Sequence, residues 1–322
     1  MKKFFSLLLL VIILLSLSNN IFAENINLST EINSILDYYS KTTKSIDSFE
    51  TIVAIYSVNS RVGTFKEDII FDKNKDYAGL ILSRLATNND PTADFHGINP
   101  VEALIGQQDE NGSFGTFNNH FFAIVALESV KALKGPASVT YADSNALNYL
   151  LSLKKTDGSF GDAEKTAKAI IILNKFSQDS KASAAMQAAC EYLRNTEFTQ
   201  LKDICYKVLG LTACGDSSTT NELIEKIISF KNDDGSYPDD LTITVLLTFD
   251  SVLNENTAYG RLMAKGSFSE YTLESAKPFL LAVGILVLLS IVFWIYIMTT
   301  KKLKKRPDKN ESQNMGDPPK IQ

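Results

Sequence analysis

Cysteine is scarce in this chain, with three residues among 322. That excludes a disulfide-stapled scaffold, and the odd count leaves at least one thiol unpaired or bonded between molecules. A surplus of cations is also missing. The formal charge of −5 gives no support to nucleic-acid binding. Histidine occurs only at His96 and His120, so a histidine-based metal site has little to draw on. No nucleophile elbow is present to support a Ser-His-Asp hydrolase. No cysteine stands near the N-terminal leader, which argues against a lipoprotein anchor, and no Leu-Pro-x-Thr-Gly-like signal marks covalent wall attachment. Disorder is excluded from the other side, because 45% of the residues are hydrophobic.

What is present is concentrated first at the two ends. Lys2 and Lys3 precede an apolar run over residues 4–17, and Ala23 supplies the small residue of a cleavage site. Residues 1–23 therefore read as a secretory signal peptide, with an uncleaved N-terminal anchor as the alternative. Residues 279–298 carry no charge and are long enough for a hydrocarbon core of roughly 30 Å. Trp294 and Tyr296 lie near the end of this run, followed by Lys301, Lys302, Lys304, Lys305 and Arg306. Aromatic residues at an interface and a basic collar are a stop-transfer and positive-inside signal. The expectation is a single-pass protein of the cell membrane. Residues 24–275 form an extracellular domain, 277–299 a transmembrane helix, and 300–322 a basic, disordered cytoplasmic tail. Counted over residues 24–277, the part expected outside holds 23 cations and 34 anions, a net charge of −11.

A short theme recurs in the outer part. It reads Asn111-Gly112-Ser113-Phe114-Gly115, then Asp157-Gly158-Ser159-Phe160-Gly161, then Asp234-Gly235-Ser236-Tyr237, with weaker echoes at Gly63-Thr64-Phe65 and Gly266-Ser267-Phe268. Asp-Gly and Asn-Gly are turn signals, because glycine accepts positive φ and Asp or Asn tolerates it. The strong copies follow apolar-periodic segments at 100–108, 145–153 and 222–230, and further apolar runs begin at Ala123, Ala169, Lys207 and Thr244. The spacing of about 40 residues favours helices over strands, although β-branched residues are frequent in the runs. Helices are also expected at 32–39, 49–57, 76–86 and 182–195. The unit is helix, turn with an aromatic plug, helix, repeated in about five pairs, which makes the domain all-α. Gly112, Phe114, Gly158, Phe160, Gly235 and Tyr237 are expected to be structural.

Over residues 45–255, approximately, the three copies and their preceding leucine or phenylalanine (Leu104, Leu153, Phe230) resemble the prenyltransferase/squalene-cyclase repeat superfamily. The resemblance implies an α/α toroid, in which inner helices ring a funnel and outer helices surround them. Its members include protein prenyltransferase β subunits, triterpene cyclases, complement thioester domains and cobalamin carriers. The chemistry of the enzymes is not carried over intact. No Asp-x-Asp-Asp acid occurs, and Asp233-Asp234 and Asp239-Asp240 read as turn and helix-start residues. Asp203-Ile204-Cys205 matches the local zinc pair of the prenyltransferases, but both histidines lie upstream and the third ligand is missing from its place. None of Cys190, Cys205 and Cys214 has a Gln three residues on, so no thioester pair exists. A disulfide between two of the three is left open.

Aligning the inner-helix cores places Asn119, Lys165, Asp203 and Asp240 at one equivalent position, with His120 beside it and Tyr206 one turn along. The resemblance implies that inner-helix starts face the funnel mouth. These six residues are the candidate ligand ring, and solvated first-turn residues are the alternative. The expected function is a non-catalytic surface module that binds an amphipathic ligand, with a corrinoid as one candidate, or an extracellular protein. A lipid- or isoprenoid-processing enzyme and a structural spacer are the alternatives. No catalytic residue, metal or cofactor is assigned.

Overall fold

The computed structural model describes residues 26–42, 45–74, 76–218 and 220–268. The expected leader 1–23, span 277–299 and tail 300–322 lie outside the described residues. Among the described residues no helix is long and apolar enough to cross a membrane.

The fold is all-α. Thirteen α-helices occur among the described residues: α1 (Leu28–Thr42), α2 (Phe49–Ser57), α3 (Glu67–Asn74), α4 (Tyr77–Ala86), α5 (Pro100–Ile105), α6 (Phe117–Lys134), α7 (Asp143–Ser152), α8 (Ala163–Lys175), α9 (Ser180–Asn195), α10 (Leu201–Ala213), α11 (Thr220–Ile228), α12 (Thr242–Leu253) and α13 (Ala258–Lys265). Two-residue strands β1 (Ser45–Ile46) and β2 (Thr64–Phe65) pair in parallel, Ser45 opposite Thr64. The apolar runs that left strand open are helices. α4, α6, α8 and α13 are each started by a side chain that accepts an otherwise orphan N–H: Asp76 from Gly79, Thr116 from Asn119, Asp162 from Lys165 and Thr257 from Gly260, whereas α10 and α12 have no side-chain cap.

The helices form six successive pairs, α1/α2 through α11/α12. The spacing predicts about five pairs with extra helices near 32–39 and 49–57; those two helices continue the same alternation in chain order, α1 packing on α12 and α2 on α4 and α12. The second members pack in order, α2 on α4, α4 on α6, α6 on α8, α8 on α10 and α10 on α12, and α12 returns to α2. Helix α13 touches four of these six: α2, α6, α8 and α12. The second members are buried on nearly every face, as their continuous apolar runs require. All residues from His120 to Val130 are buried, as are Ala169 to Leu173.

The repeated turns use one set of hydrogen bonds. The Asn111, Asp157 and Asp234 side chains accept from the N–H two residues on, at Ser113, Ser159 and Ser236, at 2.9–3.0 Å. The following glycines sit at φ +91°, +90° and +88°. Each glycine also lies against the backbone of the next pair's first helix. A Cβ on Gly112 would collide with Asn145 of α7, and one on Gly158 would stand 2.7 Å from the Ala188 carbonyl oxygen of α9. On Gly235 it would stand 2.8 Å from the Ser34 carbonyl oxygen of α1, which joins the last pair to the first. Phe114, Phe160 and Tyr237 are buried behind these glycines. The weaker echo at Gly266 is different: it ends α13 in the left-handed conformation.

The pair α9/α10 has no glycine turn. There the Lys207 ammonium donates to the Arg194 and Thr196 carbonyls at 3.3 and 2.9 Å. A disulfide joins Cys190 of α9 to Cys214 at the end of α10. This settles the cysteine pairing that the sequence left open, and Cys205 is the free thiol.

Candidate functional site

A chamber of about 580 Å³ opens among the starts of the inner helices. Its polar wall contains Glu50 of α2, Asn118 of α6, Glu164 and Lys168 of α8, Lys202 and Tyr206 of α10, and Asp240 just before α12. Its apolar wall contains Phe121, Phe122, Ile171, Leu209, Ile243 and Leu247, and Thr257, Ala258 and Tyr259 bring in α13. A second hollow of about 740 Å³ shares Glu50, Asn118 and Phe122 with the first and adds Asp76, Asp109 and Asn119.

Charge in the chamber is arranged around Glu164. Its carboxylate meets Lys168 at 2.6 Å, one helical turn along, and Lys202 of the neighbouring helix at 2.5 Å. Burial alone would raise the Glu164 carboxyl, but the two ammonium groups outweigh it and hold it below the usual range. Lys168 is itself buried. It donates to Asn118 Oδ1 at 3.0 Å and stands 5.0–5.7 Å from the ring centres of Phe122, Phe121 and Tyr206. Burial pushes the Glu50 carboxyl up, and the nearby Lys168 charge opposes the rise. The Tyr206 phenol is held up by burial and then by Glu164.

The ring expected from the sequence is only partly assembled. Tyr206 and Asp240 line the chamber, and Asp240 sits there with φ +57°, a strained value for a residue with a side chain. Asn119 lines the neighbouring hollow instead. Lys165 and Asp203 line neither, and Lys165 pairs with its own helix cap Asp162 at 3.3 Å. The chamber takes the residue before each: Asn118, Glu164 and Lys202. One residue turns a helix face by about 100°, and an inner helix buried all round offers no polar stripe from which to read its rotation. The signal that was available lies in α8, where Lys168 interrupts an apolar run four residues after Glu164.

His120 is a structural residue and does not face the chamber. Its Nδ1 accepts from the Phe114 N–H at 3.3 Å, which leaves Nε2 to donate to the Ala146 carbonyl of α7 at 3.1 Å. Thr166 and Thr242 accept in the same way from Phe160 and Tyr237, at 3.1 and 2.9 Å. Burial lowers the His120 imidazole to about 4, so it is neutral in this role.

The partial zinc motif is not assembled either. Cys205 is fully buried, and burial pushes its thiol up to about 12. Among the described residues no group of three or more His, Cys, Asp or Glu could hold a metal ion. Comparison with protein-family models, with curated proteins and with solved structures finds no match for this chain.

Proposed function

We propose that this chain is a membrane-anchored α/α toroid, held by a single C-terminal span with its helical domain outside the cell, and that its chamber binds an amphipathic ligand without catalysis. The observation that carries the reading is the chamber itself, with buried charge and aromatic rings beside an aliphatic wall. A cavity of about 580 Å³ falls in the range that takes drug-sized ligands. A spacer would have no use for Lys168 held in the wall by a carboxylate, an amide and three rings. The cyclic packing of the six second helices, from α2 through α12 and back to α2, supports the toroid. The disulfide fits an oxidising compartment, as do the leader and the basic collar. A complete corrinoid is a larger molecule than a drug-sized ligand, and it would leave much of itself outside the chamber.

The test is thermal unfolding of the full-length chain in a polyoxyethylene detergent against a panel of amphipathic ligands that includes a corrinoid. A true ligand at a hundred times its Kd stabilises by about 2.7 kcal/mol. For a domain of this size that is a rise of about 5–10 °C in Tm. Leu247→Trp, which fills the apolar wall, should abolish the rise. If no member of the panel moves Tm, the ligand-binding reading falls and the spacer takes its place.

A further inference from the structure

We infer that the ligand carries a protonated amine, seated at Glu50, and an apolar body along the aliphatic wall. This rests on the chamber being a ligand site and adds the chemistry of what it takes.

Charge on the chamber wall is unequal. Asp47, Glu50, Glu164 and Asp240 line it against Lys168 and Lys202, four carboxylates against two ammonium groups. Both lysines are paired with Glu164, at 2.6 and 2.5 Å. The adjoining hollow adds Asp76 and Asp109, with no lysine or arginine among its lining residues. Glu50 belongs to both cavities and so lies between two acidic walls. Its carboxylate accepts no hydrogen bond and makes no ion pair among the described residues. Lys168 is the cation that acts on it, while the carboxylates of Glu164 and Asp76 act against it. A half-buried carboxylate between two like charges, with one cation already committed elsewhere, lacks a counter-ion. An incoming cation is favoured there and an anion is repelled.

Tyr259 points to the same place on separate grounds. It is 7% exposed, and its hydroxyl has no hydrogen-bond partner among the described residues. It lines the chamber, and the groups that act electrostatically on its phenol are Glu50 and Tyr206, both on the chamber wall. The hydroxyl is therefore directed to the Glu50 side of the chamber. A primary ammonium has three N–H groups to donate, and Glu50 and the Tyr259 hydroxyl are two acceptors without donors. The ring faces already hold one ammonium: Lys168 stands 5.0–5.7 Å from the centres of Phe122, Phe121 and Tyr206. A quaternary ammonium would use the rings but leave both acceptors unfilled. Ile171, Leu209, Ile243 and Leu247 then cover an alkyl body.

The test uses the full-length chain held in a non-ionic amphipathic polymer that carries no amine, with the polymer alone as the blank. Four probes of one chain length are titrated by calorimetry: hexylammonium, hexyltrimethylammonium, hexanol and hexyl phosphate. Hexylammonium should bind at least about tenfold more tightly than any of the others, and its affinity should fall severalfold between about 50 and 500 mM salt. Glu50→Gln keeps the shape and removes the charge, so it should weaken hexylammonium about tenfold and leave hexanol unchanged. Tyr259→Phe should weaken hexylammonium about threefold while Tm rises, and it carries the test if Glu50→Gln fails to fold. Equal or tighter binding of the quaternary, neutral or phosphate probe overturns the amine inference and leaves a ligand site in place. So does a folded Glu50→Gln chain that binds hexylammonium as the parent does. If none of the four probes binds, this inference and the ligand-binding reading fall together.

Discussion

The glycine turns and the chamber lie a few residues apart on the same hairpins, but they are built in opposite ways. At the turns, three copies make the same hydrogen bonds with nearly the same residues, and where one copy substitutes His120 for threonine the bond is kept. At the chamber, α2, α6, α8 and α10 contribute Glu50, Asn118, Glu164 and Lys202, two carboxylates, an amide and an ammonium with no residue common to all four. Repetition follows a need every pair shares, which is to fit its turn against the next helix. Its absence marks positions that no shared packing requirement fixes. That contrast separates the scaffold from the candidate site without any relative to compare.

The sharpest way to break the contrast is at a repeated glycine. Gly158→Leu must accept positive φ and drive a side chain into the Ala188 carbonyl, so a loss of about 4 kcal/mol is expected in chemical denaturation. Ligand affinity of the surviving folded fraction should be unchanged. Next is α9/α10, one of the pairs without the glycine turn. Replacing Cys190 and Cys214 together by alanine opens a loop of 24 residues, and a loss of about 3 kcal/mol is expected by the same measurement. Addition of reductant to the parent chain should reproduce it.

The histidine substitution gives a smaller effect with a clear sign. His120 titrates near 4 when folded and near 6.5 when unfolded, so the unfolded chain takes the proton first. Its contribution is complete above pH 6.5 and is lost as the pH falls towards 4. The parent should be about 2 kcal/mol less stable at pH 4.5 than at pH 7 on this account. His120→Thr, which copies Thr166 and Thr242, should remove that dependence. A pH profile identical to the parent's would show that the three turns are not equivalent. The smallest effect is expected at the chamber. The Tyr259 hydroxyl is buried and makes no hydrogen bond among the described residues, so Tyr259→Phe should raise stability by about 1 kcal/mol, read as a rise of a few degrees in Tm. A fall instead would place a hydrogen-bond partner on that hydroxyl.

The same contrast explains what could be read from the sequence. The turns were legible because Gly112, Gly158 and Gly235 answer a local backbone requirement, and the apolar runs fixed the helices between them. The rotation of each inner helix was not legible. It is set by packing on all sides, and the step from Lys165 to Glu164 is invisible when the whole run is buried. Asp240 and Tyr206 were found, but Glu50 was not, because α2 lay outside the set of apolar runs that were aligned with one another. The role of His120 was hidden for a different reason: its partners are backbone atoms of Phe114 and Ala146, which leave no mark on side-chain patterning.

The seam where Gly235 meets Ser34 has a consequence in time. Lys231 pairs with Glu31 at 2.9 Å across 200 residues of chain, and Arg261 reaches the Ser57 carbonyl across 204. On a ribosome α1 and α2 are finished long before the hairpin that covers them exists. The early hairpins can stack one on another as they emerge, but both ends of the stack must wait, apolar sides uncovered, for the last pair to be made. The final hairpin is then a keystone, and a chain stopped before it would be expected to aggregate although most of its helices are already present.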